Sequence, residues 1–101
     1  MTAPTAPEDC RTMAEVRAGV DALDRELVAL LARRFGYMRA AARIKPDRTM
    51  VRDEARKAAV IAAARAEAQR LGAPAERIAA LWDALVESSI AYELEQWDAR
   101  G

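Results

Sequence analysis

Histidine is absent from this chain of 101 residues, and cysteine occurs once, at Cys10. Histidine is the commonest metal ligand and the side chain that titrates nearest to neutral pH, so its absence argues against a histidine metal site or proton shuttle. A single cysteine excludes an internal disulfide bond and any zinc site built from several cysteines. The absence of histidine also leaves Ser88 and Ser89 without the base that usually activates a serine nucleophile.

Aromatic residues make up 5% of the chain, and glycine and proline occur four times each. No stretch has the alternation of apolar and polar residues, or the content of β-branched residues, that predicts a strand. No glycine-rich phosphate loop occurs either. No apolar run approaches the roughly 20 residues that cross a bilayer. The first ten residues lack the cationic and apolar regions of a signal peptide. We therefore expect an all-α, cytoplasmic protein with no membrane partner.

Lysine plus arginine and aspartate plus glutamate number 16 each, and this net charge of zero argues against general nucleic-acid binding. The charge is nevertheless uneven, because residues 1–32 sum to −3, residues 33–57 to +6 and residues 58–101 to −3. Most of the cations are arginines, which suit bidentate recognition of carboxylates or phosphates. The cationic middle segment predicts a small anionic ligand, although a solvated helical surface accounts for many individual arginines.

The hydrophobic fraction of 52% overstates the available core, because 25 residues are alanine. Alanine favours helices but buries little apolar area. So few larger apolar side chains give a thin core in so short a chain. The composition therefore predicts a protein that completes its core by pairing with a second chain.

Residues 1–12 are predicted to form a flexible N-terminal arm, and residues 13–101 a single domain of three helices. The first helix is predicted over about 13–44 because mainly apolar residues recur at intervals of four and three positions, which places them along one helical face, or seam. At about 1.5 Å per residue this helix spans roughly 45 Å, longer than a compact domain of this size is wide. We therefore expect an intertwined helical homodimer. The seam consists of Val16, Val20, Leu23, Leu27, Leu30, Arg34, Tyr37, Ala41 and Ile44.

Proline and glycine mark the remaining boundaries. Pro46 ends the first helix, and residues 46–52 form a loop. Asp53 is a suitable N-cap for a middle helix over about 54–71, which Gly72 terminates. The last helix is predicted over about 74–98.

Three polar residues interrupt the apolar faces: Arg34 in the first seam, and Ser89 and Glu93 among the apolar residues of the last helix. Burying a charge is costly unless the charge is paired. One explanation is a structural Arg34–Glu93 ion pair. The other is a polar pocket for a small anion, lined by Arg34, Lys45 and the loop cations and closed by Glu93. Metal binding is disfavoured because the nearby carboxylates lie among cations, so the remaining chemistry is catalysis by positioning and electrostatics.

At these positions the chain resembles the all-helical chorismate mutase class. The resemblance rests on Arg17, Asp24, Arg34, Lys45 and Ser89, with the run Asp53-Glu54-Ala55-Arg56 opening the middle helix. The arm, with Pro7-Glu8-Asp9-Cys10, and the segment 33–45 are more similar to the sister enzyme isochorismate pyruvate lyase.

The resemblance implies a homodimer whose active sites each take Arg17 from the partner chain, with no metal or cofactor. Arg17 and Arg34 would bind the two substrate carboxylates, assisted by Arg56, and Ser89 would bond a carboxylate. Lys45 would lie at the ether oxygen of the breaking C–O bond, and Asp53 would accept from the ring hydroxyl. Relatives usually have glutamine at the position of Glu93, where it donates to the ether oxygen; a glutamate can donate there only when protonated.

Several functions remain open from the sequence. The first is chorismate mutase, which gives prephenate and is favoured by Asp53 and Ser89. The second is isochorismate pyruvate lyase, which gives salicylate and pyruvate and is favoured by the arm and the segment 33–45. An aminodeoxychorismate mutase and a non-catalytic helical dimer are further alternatives. Lys57, at a position where the bacterial mutases usually have glutamate, removes one expected contact to the ring hydroxyl.

Overall fold

Three α-helices and two short 3₁₀ turns form the fold in the computed structural model, which describes residues 3–100. The helices are α1 (Met13–Ile44), α2 (Glu54–Arg70) and α3 (Ala75–Asp98). Within the described range no strand occurs, so the predicted all-α class and the helix order are confirmed. Residues 1, 2 and 101 of the predicted arm and domain lie outside that range.

The chain divides into two compact units, one ending at Arg34 and the other beginning at Phe35, and α1 continues through the boundary. In the first unit, a 3₁₀ turn at Pro7–Asp9 precedes a reciprocal cap of α1. The Thr12 hydroxyl accepts from the Glu15 amide at 3.2 Å, and the Glu15 carboxylate accepts from the Thr12 amide at 3.1 Å. This carboxylate also accepts from the Thr5 hydroxyl, which fastens the described part of the arm to the helix.

The apolar seam of α1 is largely exposed to solvent in the single chain. Leu23, Leu27 and Leu30 are 55%, 52% and 57% exposed, although the 3.6-residue period gives them one common face. Tyr37 and Ile44, on the part of α1 in the second unit, are also exposed. This seam is therefore an apolar surface that the chain does not cover by itself.

In the second unit, α2 and α3 pack against each other after a tight turn. Gly72 adopts φ of +71°, a left-handed conformation that glycine adopts without steric cost, and the residue follows the end of α2 as predicted. Val51, Val86 and Ile90 form the core of this unit, with Val60, Leu94 and Trp97 packed against them. Among the described residues no large side chain is completely buried. None of the described helices combines the length and the apolar composition that a membrane span requires.

The loop between α1 and α2 is more ordered than the sequence predicts. Residues Arg48–Met50 form a 3₁₀ turn, which Asp47 caps by accepting from the Thr49 amide at 2.9 Å. Val51 follows directly and is buried in the core. The loop is therefore anchored to the core of the second unit through Val51.

Candidate active site

An ion pair with a buried carboxylate joins the end of α1 to α3. The ammonium of Lys45, one residue beyond α1, donates to Glu93 Oε2 at 2.6 Å. The Glu93 side chain is 5% exposed, whereas that of Lys45 is 27% exposed. The burial predicted for Glu93 is confirmed, and its ion-pair partner is the lysine that the resemblance assigns to the ether oxygen. The Lys45 side chain is therefore the more exposed member of the pair.

Ser89 lies one helical turn before Glu93 and is 3% exposed, so its predicted burial is also confirmed. Its hydroxyl donates to the carbonyl of Leu85 at 2.7 Å. A serine hydroxyl has a single proton to donate. Donation to a substrate carboxylate therefore requires this hydroxyl to rotate away from Leu85.

The first turn of α2 presents Asp53 and Arg56 together at the surface. Asp53 is the N-cap of α2, as predicted, and its Oδ1 accepts from the Arg56 amide at 3.0 Å. The other carboxylate oxygen of Asp53 can accept a further hydrogen bond. The side chain of Arg56 borders an apolar groove of about 490 Å³ between α2 and α3, which Val60 and Trp82 also line.

Arg17 and Arg34 are the two candidate residues of the first unit. Arg17 is exposed near the start of α1, and Arg34 is half-buried at the last position of the unit. The second unit thus pairs Lys45 with Glu93, places Ser89 one turn before Glu93 on α3, and places Asp53 and Arg56 at the start of α2.

Lys57, one of the two lysines, is engaged in a separate charge cluster. Its ammonium donates to Glu87 Oε2 at 2.8 Å and lies 3.5 Å from Asp83 Oδ1. Arg52 donates to the same Glu87 carboxylate at 2.8 and 3.1 Å. The cluster links the start of α2 to α3, so the side chain at position 57 pairs with protein carboxylates.

Glu87 provides a prediction for stability in acid. Hydrogen bonds from Arg52, and then from Lys57, lower the pKa of Glu87 from 4.5 to about 2. Because the pKa is lower in the folded chain, its contribution to stability is complete above about pH 4.5 and is lost as the pH falls towards 2. In urea denaturation, Glu87→Gln should therefore lower the free energy of unfolding at pH 6 more than at pH 2.5. An equal difference at both pH values would contradict this assignment.

Residues at the end of α3 also hold the end of α1, which the sequence reasoning missed. Arg100 Nη1 donates to the carbonyl of Lys45 at 2.6 Å and to that of Ala42 at 3.1 Å. The indole nitrogen of Trp97 donates to the same Lys45 carbonyl at 3.4 Å. Helical periodicity places Trp97 on the inner face, but no local signal pairs Arg100 with backbone carbonyls more than fifty residues earlier.

The second unit thus offers a partly exposed lysine whose ammonium a buried carboxylate orients, with a carboxylate and a guanidinium at the start of α2. No titratable histidine is available to move a proton. Such an arrangement can bind an anion and stabilise negative charge that develops on it.

The chain is similar to known proteins over most of its length. Residues 16–94 match the family model described as chorismate mutase type II. Over 91 residues the chain is 30% identical to an isochorismate pyruvate lyase from Pseudomonas aeruginosa, and the match covers 90% of each chain. The match to the family model covers most of the chain and includes every candidate site residue. The chain therefore belongs to the chorismate mutase type II family of enzymes.

Proposed function

We propose that this chain is a chorismate mutase that converts chorismate to prephenate. The observation that carries the proposal is the ion pair of Lys45 with the buried Glu93 carboxylate, at 2.6 Å, in which the lysine side chain is partly exposed. In the rearrangement the ether C–O bond breaks while a new C–C bond forms, and negative charge grows on the ether oxygen. The reaction needs no nucleophile and no proton transfer, which fits a chain without histidine.

Lys45 provides the electrostatic stabilisation. An ammonium has three N–H donors, and Glu93 accepts one of them. We assign one of the remaining donors to the ether oxygen of the substrate. A preorganised donor at the atom where charge develops stabilises the transition state more than the ground state.

Glu93 fixes the position of this ammonium. As an ionised carboxylate it binds Lys45, whereas as a protonated acid it can itself donate to the ether oxygen. Relatives with glutamine donate there at any pH. The buried carboxylate thus acts through Lys45 in its ionised form and directly in its protonated form.

Substrate orientation is assigned to the arginines. Arg17 and Arg34 would bind the two carboxylates with bidentate geometry, which holds the side chain of the substrate over its ring. Arg56 assists them, and Ser89 adds a hydrogen bond once its hydroxyl rotates away from Leu85. The carboxylate oxygen of Asp53 that does not cap α2 accepts from the ring hydroxyl.

A homodimer completes the site in this proposal. The exposed leucines of α1 form an apolar seam, and the groove between α2 and α3 is mainly apolar as well. Burial of such surfaces by a second copy is the usual way in which a short, alanine-rich chain completes its core. The partner chain would then supply Arg17.

The second candidate function is isochorismate pyruvate lyase, because of the length of the match to such a lyase. The match to the Pseudomonas aeruginosa lyase extends over 91 residues and therefore reaches beyond the 16–94 range of the family model. The same cations would serve this reaction, because it breaks the same kind of C–O bond. Asp53 and Ser89 favour the mutase.

One assay separates the candidates. Purified protein is incubated with chorismate, isochorismate or aminodeoxychorismate, and the products are identified by chromatography and mass spectrometry. We expect prephenate from chorismate, at a rate at least 100-fold above the uncatalysed reaction. Turnover of isochorismate alone, to salicylate and pyruvate, would assign the lyase. Turnover of aminodeoxychorismate alone would assign an aminodeoxychorismate mutase. No turnover of any of the three substrates would indicate a non-catalytic dimer.

A further inference from the structure

We propose that Arg100 is a positioning residue for Lys45. Its guanidinium holds the backbone of residues 42–45 in the conformation from which the Lys45 ammonium reaches the substrate. The inference rests on the proposed role of Lys45 and extends the functional site to the end of α3.

The need for such a residue follows from Pro46. A continued helix would satisfy the carbonyl of Ala42 with the amide of residue 46, but proline has no N–H. Ala42 is 2% exposed, and a buried carbonyl without a partner is unfavourable. Arg100 Nη1 donates to this carbonyl at 3.1 Å and therefore replaces the hydrogen bond that proline removes.

The same nitrogen also fixes Lys45 itself. Arg100 Nη1 donates to the Lys45 carbonyl at 2.6 Å, and Trp97 Nε1 adds a weaker hydrogen bond at 3.4 Å. The guanidinium of Arg100 lies 4.7 Å from the centre of the Trp97 ring, which supports it from one side. Lys45 is thus held at its backbone by Arg100 and at its side chain by Glu93.

A neighbouring ion pair fastens the loop to the same end of α3. Arg48 Nε and Nη2 donate to the two carboxylate oxygens of Asp98 at 2.8 and 3.1 Å. This bidentate pair holds the 3₁₀ turn that follows Lys45 and Pro46. Loss of Arg100 should therefore free the backbone at Lys45 while Arg48 still retains the loop, so the folded chain persists.

The test compares Arg100→Met, which removes the donors, with Arg100→Lys, which keeps a cation and donors. Arg77→Met, at an exposed arginine in the first turn of α3, is the matched control. We expect Arg100→Met to lower kcat about tenfold with KM changed less than twofold. Arg100→Lys should recover most of the loss, and Arg77→Met should match the wild type.

A double variant separates positioning from general destabilisation. In a Lys45→Ala background, Arg100→Met should cause no further loss of kcat, because its effect passes through Lys45. An equal loss in both backgrounds, or an unchanged kcat in Arg100→Met, would overturn the proposal. If Lys45→Ala by itself leaves turnover unchanged, the proposed function of the site fails, which is a separate result.

Hydrogen exchange gives a readout that does not depend on activity. The amide of Lys45 bonds to the carbonyl of Ala41 at 2.9 Å, so its exchange reports opening of this segment. We expect exchange at Lys45 to be at least tenfold faster in Arg100→Met than in the wild type or Arg77→Met. Equal exchange rates in all three proteins would show that Arg100 does not hold this backbone.

Discussion

Replacing Lys45 with alanine should lower kcat/KM by about 10³-fold, the upper part of the range for loss of one preorganised donor to a developing oxyanion. Among the described residues, Lys45 has the only ammonium that forms an ion pair with the buried Glu93 carboxylate, and the variant removes this ammonium. KM should change less than kcat, because the arginines bind the carboxylates in the ground state and the transition state alike. Steady-state kinetics with chorismate measures both constants.

Two controls make the result specific. Lys57→Ala removes the other lysine, which pairs with Glu87 and Asp83, and should lower kcat/KM less than threefold. Lys45→Ala removes a cation that contacts the buried Glu93 carboxylate, and this change should lower stability. The double variant Lys45→Ala/Glu93→Gln removes the carboxylate charge as well, so it should regain the wild-type melting temperature and remain at least 100-fold less active. Full activity in the double variant would contradict the role of Lys45.

The second large effect is expected at Arg17 and Arg34. Arg17→Ala and Arg34→Ala should each lower kcat/KM by at least 10²-fold, because each removes a bidentate contact to one substrate carboxylate. If Arg17 comes from the partner chain, a heterodimer of the two variants contains one intact site and one site that lacks both arginines. A mixture at equal concentration, after exchange of chains, should therefore recover up to about a quarter of the wild-type activity.

The control for this experiment is a mixture in which both chains carry Arg34→Ala, which cannot form an intact site. Differently tagged chains and co-purification establish that heterodimers have formed. Heterodimers without recovered activity would contradict the shared site. Sedimentation of the wild-type protein as a monomer would exclude a site shared between two chains.

The sequence predicts the helices closely because their boundaries depend on local chemistry. Each helix boundary is marked by a residue that acts within one turn of its own position: Pro46, Asp53 or Gly72. The structure confirms these boundaries to within a residue or two. The start of α1 carries its own local signal in the pair Thr12 and Glu15, which forms the reciprocal cap.

The candidate site was only partly predictable from the residues. The apolar neighbours Val86 and Ile90 predict the burial of Ser89 and Glu93. Their partners depend on how distant segments pack, and the ion pair of Glu93 with Lys45 joins residues separated by 48 positions. Arg100 is separated from Ala42 by 58 positions and from Lys45 by 55 positions along the chain. No periodic pattern in the sequence relates these residues.

The central claim is that Lys45 stabilises the charge that develops on the ether oxygen of the substrate. A rigid bicyclic dicarboxylate ether, which mimics the cyclic transition state, tests it most directly, and the measurement is the crystal structure of its complex. We predict that the ether oxygen lies about 2.7–3.2 Å from Lys45 Nζ, with each carboxylate on an arginine. An analogue bound with its ether oxygen away from Lys45 would contradict the account.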